Sequence, residues 1–212
     1  MSQMLKYSAV NQPVLESVPL HARRILDVGC GTGALGAALK ARQPAEVVGL
    51  TYSEAEAICA RQSLDLVVVT DLNRFDATGL REFDCILCSH VLEHLNWPDE
   101  FLRAVRPLLS PAGCLIVALP NGLAWRQRVR FLLGEFRYTD GGLMDRTHFR
   151  FFDWQTAREL VSDAGFVVEK SWADGILPLS RWLPFRDHLD TLATRLFPGL
   201  FGWQFIVIGR AR

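Results

Sequence analysis

The sequence predicts an α/β fold: a doubly wound, mostly parallel seven-stranded sheet with helices on both faces, a C-terminal antiparallel hairpin and an inserted helical cap. Strand-like and helix-like patterns alternate with short loops from residue 24 to about residue 120, which is typical of a parallel sheet covered by helices. The strand segments are continuous apolar runs, such as Leu66 to Val69, as expected for strands buried on both faces. Two further apolar segments near the end of the chain supply the hairpin.

The elements follow one another in a regular order. Strands are predicted near 24–28, 46–50, 66–70, 83–89 and 114–119, with helices between them near 33–42, 53–63 and 98–109. Helices near 125–133, 154–164 and 179–197 follow, together with strands near 166–172 and 203–210. The irregular stretch from 134 to 152 is rich in aromatic residues, which favours a functional segment over a disordered one. Residues 1–212 show no repeat or linker and are predicted to form a single domain, with lid and acceptor elements at about 122–152 and 174–200.

The composition is that of an ordinary globular domain, with 212 residues of which 50% are hydrophobic and 22% are charged. The 23 basic and 23 acidic side chains cancel, so nucleic acid is not expected as a partner. No apolar run reaches the length of a membrane span and no signal-peptide core opens the chain, so we expect a cytoplasmic location. Cys85 and Cys88 should face opposite sides of one strand, which argues against a redox pair or a metal clip.

The loops that follow the parallel strands should hold the functional site. Right-handed crossovers bring the carboxyl ends of the strands to one edge of the sheet, where ligands bind in open α/β folds. The segments expected to converge there are 27–33, 51–53, 71–72, 89–94 and 120–122. In the first of them, Gly29, Gly31 and Gly33 lack a Cβ atom, so the backbone can turn sharply and a ligand can lie against it. Free N–H groups at the start of the next helix point into the same space.

This glycine turn allows more than one interpretation. Residues 31–36 fit the dinucleotide pattern G-x-G-x-x-G, but that class of site requires an acid at the end of the second strand, where this chain has Thr51. A turn without any ligand is disfavoured, because three alternating glycines cost backbone entropy without a return in packing.

The remaining ligand class is S-adenosyl-L-methionine (SAM), and several segments support it together. The run 26–33 (LDVGCGTG) resembles the first motif of the Rossmann-like, class I SAM-dependent methyltransferases, in which an acid precedes the loop. Residues 83–95 are similar to the fourth-strand motif of that superfamily, and residues 111–115 to the turn before its fifth strand. Residues 136–140 and 145–152 resemble bacterial methyltransferases of cell-surface polysaccharide and secondary-metabolite pathways. The resemblance covers nearly the whole chain and implies SAM as the cofactor.

The resemblance also implies a set of cofactor contacts. They are Asp27, Gly29, Cys30, Gly31, Thr51, Tyr52, Ser53, Asp71, Leu72, Ser89 and His90. In members of this superfamily the residues of the glycine turn hold the methionine part of SAM. Tyr52 would lie against the adenine face, Asp71 would accept a hydrogen bond from the adenine amino group, and Ser89 with His90 would line the cleft under the sulfonium.

Methyl transfer from SAM requires few catalytic groups from the protein. Methyl transfer is an in-line displacement in which the protein aligns the nucleophile and sometimes removes its proton. A base with a pKa near neutrality suits this task, so the candidate catalytic residues are His148, His90 and Asp145. His148 is the favoured base, since it lies in the irregular stretch beside Asp145. Its alternative role is to tether a lid over SAM through a backbone hydrogen bond.

Residues 90–94 (HVLEH) allow three interpretations. In the simplest, His90 and His94 pack or cap after a strand. In the second, the residues bind a metal, because small-RNA 2′-O-methyltransferases and some quinone-ring O-methyltransferases place Glu-x-x-Glu-His at this point. This chain has His90 in place of the first Glu, keeps Glu93 and His94, and offers His148 downstream; three nitrogens and one carboxylate suit zinc or another transition metal. The third, the H-x-x-E-H protease pattern, requires a different fold and does not explain the glycine turn. We predict no metal cofactor, with the second interpretation as the alternative.

The leading prediction for function is SAM-dependent methyl transfer to a small-molecule or glycan acceptor, at oxygen rather than nitrogen. In the superfamily an acid at this position binds the ribose hydroxyls, and here the residue is Thr51. Either Thr51 makes a weaker hydrogen bond to the ribose, or Glu54 or a water molecule replaces the acid. This motivates one alternative, a SAM-binding scaffold with weak catalysis. The metal-binding candidates motivate another, a metal-assisted RNA 2′-O-methyltransferase, which the neutral charge balance opposes.

Two side-chain groups outside the motifs have open roles. The arginines at 126, 128 and 130 could contact a phosphate or carboxylate of the acceptor, or form an outer helix face. Trp182 and Phe185 could cap an apolar acceptor, touch a membrane surface peripherally, or simply pack. The acceptor, the pathway and the oligomeric state do not follow from the sequence.

Overall fold

The computed structural model describes residues 9–178, 180 and 185–212, and within them seven strands form one sheet. The strands are β1 (Arg24–Val28), β2 (Glu46–Thr51), β3 (Leu66–Val69), β4 (Phe83–Ser89), β5 (Leu109–Pro120), β6 (Phe166–Gly175) and β7 (Gly202–Ala211). Their order across the sheet is β3-β2-β1-β4-β5-β7-β6. The first five strands pair in parallel, and β7 runs antiparallel to β5 and β6. The predicted fold class is therefore confirmed.

The helices cover the sheet and connect its strands. They are α1 (Gln12–Ser17), α2 (Ala34–Arg42), α3 (Glu54–Ala60), α4 (Pro98–Val105), α5 (Trp125–Leu132), α6 (Trp154–Asp163), α7 (Arg186–Leu196) and α8 (Pro198–Phe201). Short 3₁₀ segments span Leu72–Arg74, Leu92–His94 and Arg106–Leu108. In α6, the Asp153 carboxylate accepts from the backbone of the first turn and Thr156 completes a capping box, which fixes the start of that helix. No helix in the described ranges is long and apolar enough to cross a membrane.

The core lies in two layers, one on each face of the sheet. Leu26, Cys88 and Phe205 belong to one buried cluster, and Ile25, Cys85 and Ile206 belong to the other. Neighbouring residues of a strand alternate between the clusters, as the pleat requires. Cys85 and Cys88 therefore face opposite sides of the sheet, as predicted, and both thiols are free.

Two predicted boundaries were wrong in the middle of the chain. Helix α4 ends at Val105 rather than near residue 109, and a 3₁₀ segment that contains Pro107 replaces its last turn. Proline lacks the N–H that would continue the helix, which explains the early end. Strand β5 begins at Leu109 rather than near residue 114, because Leu109 already pairs with Phe83 ahead of an irregularity in the register.

The apolar spacing in the helix predicted over 179–197 predicts an amphipathic helix with its leucines toward one side. Helix α7 begins at Arg186, and residues 179 and 181–184, with Trp182, lie outside the described ranges. Leu192 and Leu196 do share a face, but they are 53% and 61% exposed. The buried residue is Thr194, whose hydroxyl donates to the Asp190 carbonyl oxygen at 2.8 Å. The helix thus turns a small polar residue inward and Leu192 and Leu196 outward, while Leu189 is half-buried.

Candidate active site

The site begins at the glycine turn between β1 and α2. Gly29 has φ +70°, and a Cβ atom added there would lie 2.7 Å from Cγ2 of Val91. A side chain at this position would meet both a strained backbone and a steric clash, so glycine is required. The backbone N–H of Cys30 donates to the Leu50 carbonyl oxygen at 2.9 Å and holds the turn against β2. Burial raises the pKa of the Cys30 thiol to about 12, so that thiol stays protonated near neutral pH.

Asp27, which lies in β1 two residues before Gly29, is almost fully buried, with 2% of its surface exposed. Its Oδ2 atom has no hydrogen-bond partner among the described residues. Burial disfavours the carboxylate and raises the pKa of Asp27 from 3.8 to about 7. An unpaired buried carboxyl oxygen costs free energy, and a cationic ligand would relieve that cost. The residues present therefore fit a ligand such as SAM, which carries a sulfonium and an ammonium group.

The corner at the end of β2 contains an acid that the sequence analysis missed. Thr51 is buried, and its hydroxyl donates to Oε2 of Glu56 at 3.0 Å. Glu54, the predicted substitute, instead pairs with Arg61 at 2.7 Å on the helix surface. Ser53 caps α3 by accepting from the Glu56 backbone N–H at 3.3 Å, which brings the first helical turn back toward the strand end. That capping pattern, an acid three residues after Ser53, was the available signal for Glu56.

The other predicted adenine contacts lie at the ends of β2 and β3. The Tyr52 side chain is 78% exposed beside the β2 corner, so its ring is available to a ligand. Asp71 caps a short 3₁₀ segment, and its Oδ1 atom accepts from the Asn73 backbone N–H at 2.9 Å. Leu72 is buried, so only its backbone faces the edge of the sheet. These positions are compatible with the predicted roles, which remain predictions.

At the end of β4, His90 takes an unusual backbone conformation, with φ +52°. Its Nε2 atom lies 2.8 Å from Oε1 of Gln204, and its Nδ1 atom lies 3.4 Å from Oε1 of Glu93. Burial lowers the pKa of His90, but the hydrogen bond and charge of Glu93, with help from Gln204, outweigh burial and leave the pKa above its ordinary value. The neighbouring Ser89 hydroxyl accepts from Asn11 at 3.2 Å. Gln204 and Asn11 had no signal in the sequence, because their partners lie far away along the chain.

The irregular stretch 134–152 brings His148 to the same edge of the sheet. Phe149 and Arg150 donate backbone hydrogen bonds to the Glu93 carbonyl oxygen at 2.8 and 3.1 Å, which fixes this stretch to the loop after β4. His148 Nδ1 lies 3.2 Å from the Leu143 carbonyl oxygen, so Nδ1 carries the ring proton and Nε2 keeps a lone pair. Burial lowers the pKa of His148, which favours the neutral, basic ring.

Asp145, the third predicted catalytic residue, is engaged in shaping its own loop. It is 4% exposed, and its Oδ1 atom accepts from the Thr147 backbone N–H at 2.9 Å and from the Thr147 hydroxyl at 2.7 Å. These bonds are those of a tight polar turn. The geometry therefore favours Asp145 as a support for His148 over Asp145 as a base.

Of the four residues in the metal alternative, Glu93, His94 and His148 come together, and His90 is not part of their cluster. One potential ligand atom from each residue lies within 4.8 Å of those of the others. His94 Nδ1 lies 3.0 Å from the Thr147 carbonyl oxygen, which leaves its Nε2 lone pair available, as in His148. The Oε2 atom of the buried Glu93 has no partner among the described residues. The cluster thus offers two nitrogens and one carboxylate oxygen.

The predicted arginine group on α5 divides into separate roles. Arg128 donates to the carbonyl oxygens of Leu123 at 2.7 Å and Gly199 at 3.1 Å, so it supports the structure. Arg126 lies over the Trp125 ring, 5.3 Å from its centroid. Arg130 helps to line a cavity of about 170 Å³, whose other walls are Gln127, Glu135, Arg137 and Thr139.

Comparison with known proteins assigns the chain to a family. A family model described as a methyltransferase domain matches residues 8–171. The ubiquinone biosynthesis O-methyltransferase of Pseudomonas aeruginosa is 32% identical over 112 residues, which are 50% of this chain and 48% of that protein. The protein of the same name from Alkalilimnicola ehrlichii is 35% identical over 108 residues, 48% of this chain and 43% of that protein. The chain thus spans about half the length of the curated relatives it matches.

Solved structures agree on the fold. A SAM-dependent methyltransferase from Archaeoglobus fulgidus has a TM-score of 0.65 at 19% identity and covers 90% of this chain and 86% of its own. One from Mesorhizobium loti has a TM-score of 0.64 at 19% identity, with 95% and 98% covered. The family model, which spans most of the chain, carries the assignment beyond the fold. The chain therefore belongs to the methyltransferase-domain family, which confirms the predicted enzyme family, and its fold is that of solved SAM-dependent methyltransferases.

Proposed function

We propose that this protein transfers the methyl group of SAM to a hydroxyl oxygen of a small-molecule or glycan acceptor. One observation carries the donor half of the proposal: the buried, unpaired carboxyl oxygen of Asp27 below a turn that only glycine can form. That pair of features suits a cationic ligand whose atoms approach the backbone closely. The Glu56 carboxylate beside Thr51 offers an acceptor for ribose hydroxyls, so the missing acid after β2 is replaced from the first turn of α3.

His148 is the base that fits an oxygen acceptor. A hydroxyl keeps its proton at neutral pH, so its methylation gains from a neutral base close to the nucleophile. His148 has its Nδ1 proton held by a backbone carbonyl oxygen and a pKa lowered by burial, both of which leave Nε2 ready to accept a proton. His90 is less suited, because both of its ring nitrogens already face acceptor oxygens. The curated relatives, which are named O-methyltransferases, point to the same class of acceptor atom.

The acceptor class rests on two supports. Residues 145–152 resemble methyltransferases of cell-surface polysaccharide and secondary-metabolite pathways, and this segment carries His148. The cavity beside α5 contains Arg130 and Arg137, which would suit a carboxylate or phosphate on such an acceptor. A balanced net charge does not favour a polyanion such as RNA.

Titration calorimetry with S-adenosylhomocysteine, the product of SAM, tests the donor half. We expect binding by the wild type, and loss of binding in Gly31→Trp, which would fill the turn with an indole ring. Gly79→Ala is the matched control, since Gly79 also has a positive φ of +85° but lies in open space. A folded wild type that gives no heat with this ligand contradicts the proposal.

Methyl transfer from labelled SAM to a panel of sugars, phenols and hydroxy acids tests the acceptor half. The product should carry the new methyl group on oxygen, as read from its carbon NMR shift. A methyl group on nitrogen would overturn this half, and repeated, efficient turnover of an acceptor would exclude the alternative of a scaffold with weak catalysis.

Metal-assisted 2′-O-methylation of RNA is the second candidate, favoured by the cluster of Glu93, His94 and His148. These residues would hold a zinc or similar ion, which would supply Lewis-acid polarisation of the acceptor hydroxyl. Metal analysis of the purified protein, with His94→Gln for comparison, separates the candidates. A stoichiometric ion lost in the variant supports the metal, and an ion-free protein with full turnover leaves His148 as the base.

A further inference from the structure

Helix α5 turns its apolar side chains toward solvent. Leu132 and Val129 are 86% and 46% exposed, and Leu133, directly after the helix, is 73% exposed. The buried residue of this helix is the polar Gln127. A helix on the surface of a globular protein normally faces the core with its apolar residues, so this helix shows the reverse arrangement. An exposed apolar face of this kind indicates a surface that contacts a partner.

The chain after α5 extends this apolar face. The Phe136 ring stacks on that of Phe131 with the centroids 5.5 Å apart, and it meets the Tyr138 ring edge-on at 5.7 Å. Phe136 folds back on the helix because the chain turns at Gly134, where φ is +78°. Phe136 and Tyr138 are nevertheless 60% and 49% exposed. The exposed apolar residues of this region, here called the α5 surface, are Val129, Leu132, Leu133, Phe136 and Tyr138.

The charged side chains around the α5 surface are mostly basic. Residues 123–138 contain one acid, Glu135, and arginines at positions 126, 128, 130 and 137. Successive residues of a helix are about 100° apart, which places Arg126 and Arg130 on one flank of the apolar face and Arg128 on the other. Since the whole chain has a formal net charge of zero, positive charge is concentrated beside this surface.

We propose that the α5 surface docks on a lipid bilayer whose headgroups are anionic. In such a contact the apolar side chains enter the boundary between headgroups and acyl chains, and the arginines beside them reach the lipid phosphates. A helix of eight residues is too short to span a bilayer, so α5 would lie in the plane of the interface. A second copy of this chain is a poorer partner, because a two-fold contact through the α5 surface would bring the arginines of one copy against those of the other.

The α5 surface adjoins the candidate active site along the chain. Helix α5 follows the carboxyl end of β5, and the stretch that contains Phe136 and Tyr138 continues to His148. The Thr139 backbone N–H donates to the Met144 carbonyl oxygen at 2.8 Å, which folds the two parts of that stretch together. Docking would therefore hold the carboxyl edge of the sheet near the bilayer.

Co-flotation with lipid vesicles tests this docking. The wild type should bind vesicles made of equal parts of phosphatidylglycerol and phosphatidylcholine, and should bind vesicles of phosphatidylcholine alone at least about tenfold more weakly. Added salt should weaken the binding to the anionic vesicles, because it screens the charges at their surface.

Two variants separate the apolar and the basic contributions. Leu132→Glu should weaken binding to the anionic vesicles at least about tenfold, because it places a carboxylate where an apolar side chain meets anionic lipid. Arg126→Gln should weaken it about fivefold, the share of one basic residue near an anionic surface. Leu20→Glu is the matched control, since Leu20 is 67% exposed in the loop before β1, at the opposite edge of the sheet, and its substitution should leave binding unchanged. Circular dichroism of each variant verifies that it is folded.

Three results in flotation would overturn the proposal: a folded wild type that does not bind anionic vesicles at low salt, equal binding to neutral and anionic vesicles, or a Leu132→Glu protein that binds as the wild type does. Light scattering adds a fourth, because a dimer that Leu132→Glu converts to a monomer would assign the α5 surface to a second copy. These measurements use neither SAM nor an acceptor, so their failure is distinguishable from a failure to bind S-adenosylhomocysteine.

Discussion

The buried carboxyl group of Asp27 should make the stability of this protein fall as the pH rises. Its pKa is 3.8 in an ordinary environment and about 7 in the fold, because burial disfavours the charged form. Between about pH 4 and pH 7 the folded protein therefore holds a proton that the unfolded chain has released, and the free energy of unfolding declines over that window. A difference of about three pKa units corresponds to roughly 4 kcal/mol, as an order of magnitude.

Asp27→Asn isolates this contribution, because asparagine has nearly the same shape and does not titrate. At pH 4 the variant and the wild type should have similar free energies of unfolding in urea titrations. At pH 8 the variant should be the more stable of the two, by up to about 4 kcal/mol. A difference in the free energy of unfolding between the two proteins that does not change with pH would refute the argument that Asp27 is protonated when it is buried without a ligand.

The same carboxyl group should make ligand affinity depend on pH in the opposite sense. The ammonium group that SAM and S-adenosylhomocysteine share prefers the carboxylate, so each unit by which the pH falls below the Asp27 pKa of about 7 should weaken binding about tenfold. Calorimetry with S-adenosylhomocysteine at pH 6 and pH 8 should show this difference in the wild type. In Asp27→Asn the affinity should be low and independent of pH, and an equal pH dependence in both proteins would assign the effect to another group.

Three further outcomes are expected. Glu56→Gln should weaken S-adenosylhomocysteine binding about tenfold or more, because it removes a charged hydrogen-bond acceptor, whereas Glu54→Gln should stay within about twofold; equal effects in calorimetry would reject Glu56 as the ribose acid. His148→Gln should lower kcat by about 10²- to 10⁴-fold without weakening ligand binding, while His188→Gln, on an exposed turn of α7, should leave kcat unchanged. Gly29→Ala should cost about 1–3 kcal/mol in urea unfolding, since a valine side chain lies 2.7 Å from the new Cβ; wild-type stability would contradict the clash.

The parallel core and the position of the cleft could be predicted because their signals are local. A run such as Leu66–Val69 indicates a doubly covered strand by itself, and the glycine turn indicates its own conformation. Topology then places the loops after the strands at one edge without any knowledge of side-chain contacts. This is why Asp27, Tyr52, Asp71 and Ser89 were placed at the carboxyl edge from the sequence.

The polar partners of those residues could not be predicted in the same way. Gln204 contacts Asn11 across 193 positions and His90 across 114, so no periodic pattern links them. A single glutamine in an apolar strand has the same sequence signature whether it faces a ligand, a histidine or solvent. Only the register of β7 against its neighbours gives it an orientation, and register follows from the complete sheet.

For helix α7, the sequence likewise did not predict which residues are buried. Its leucine spacing predicts an amphipathic helix, and that pattern states that one face is apolar without stating what covers it. Leu192 and Leu196 face outward, and on the other side of the helix Asp190 accepts from the Leu177 backbone N–H at 2.8 Å. A single side-chain hydrogen bond of this kind contributes to an orientation that the hydropathy of the eleven residues leaves open.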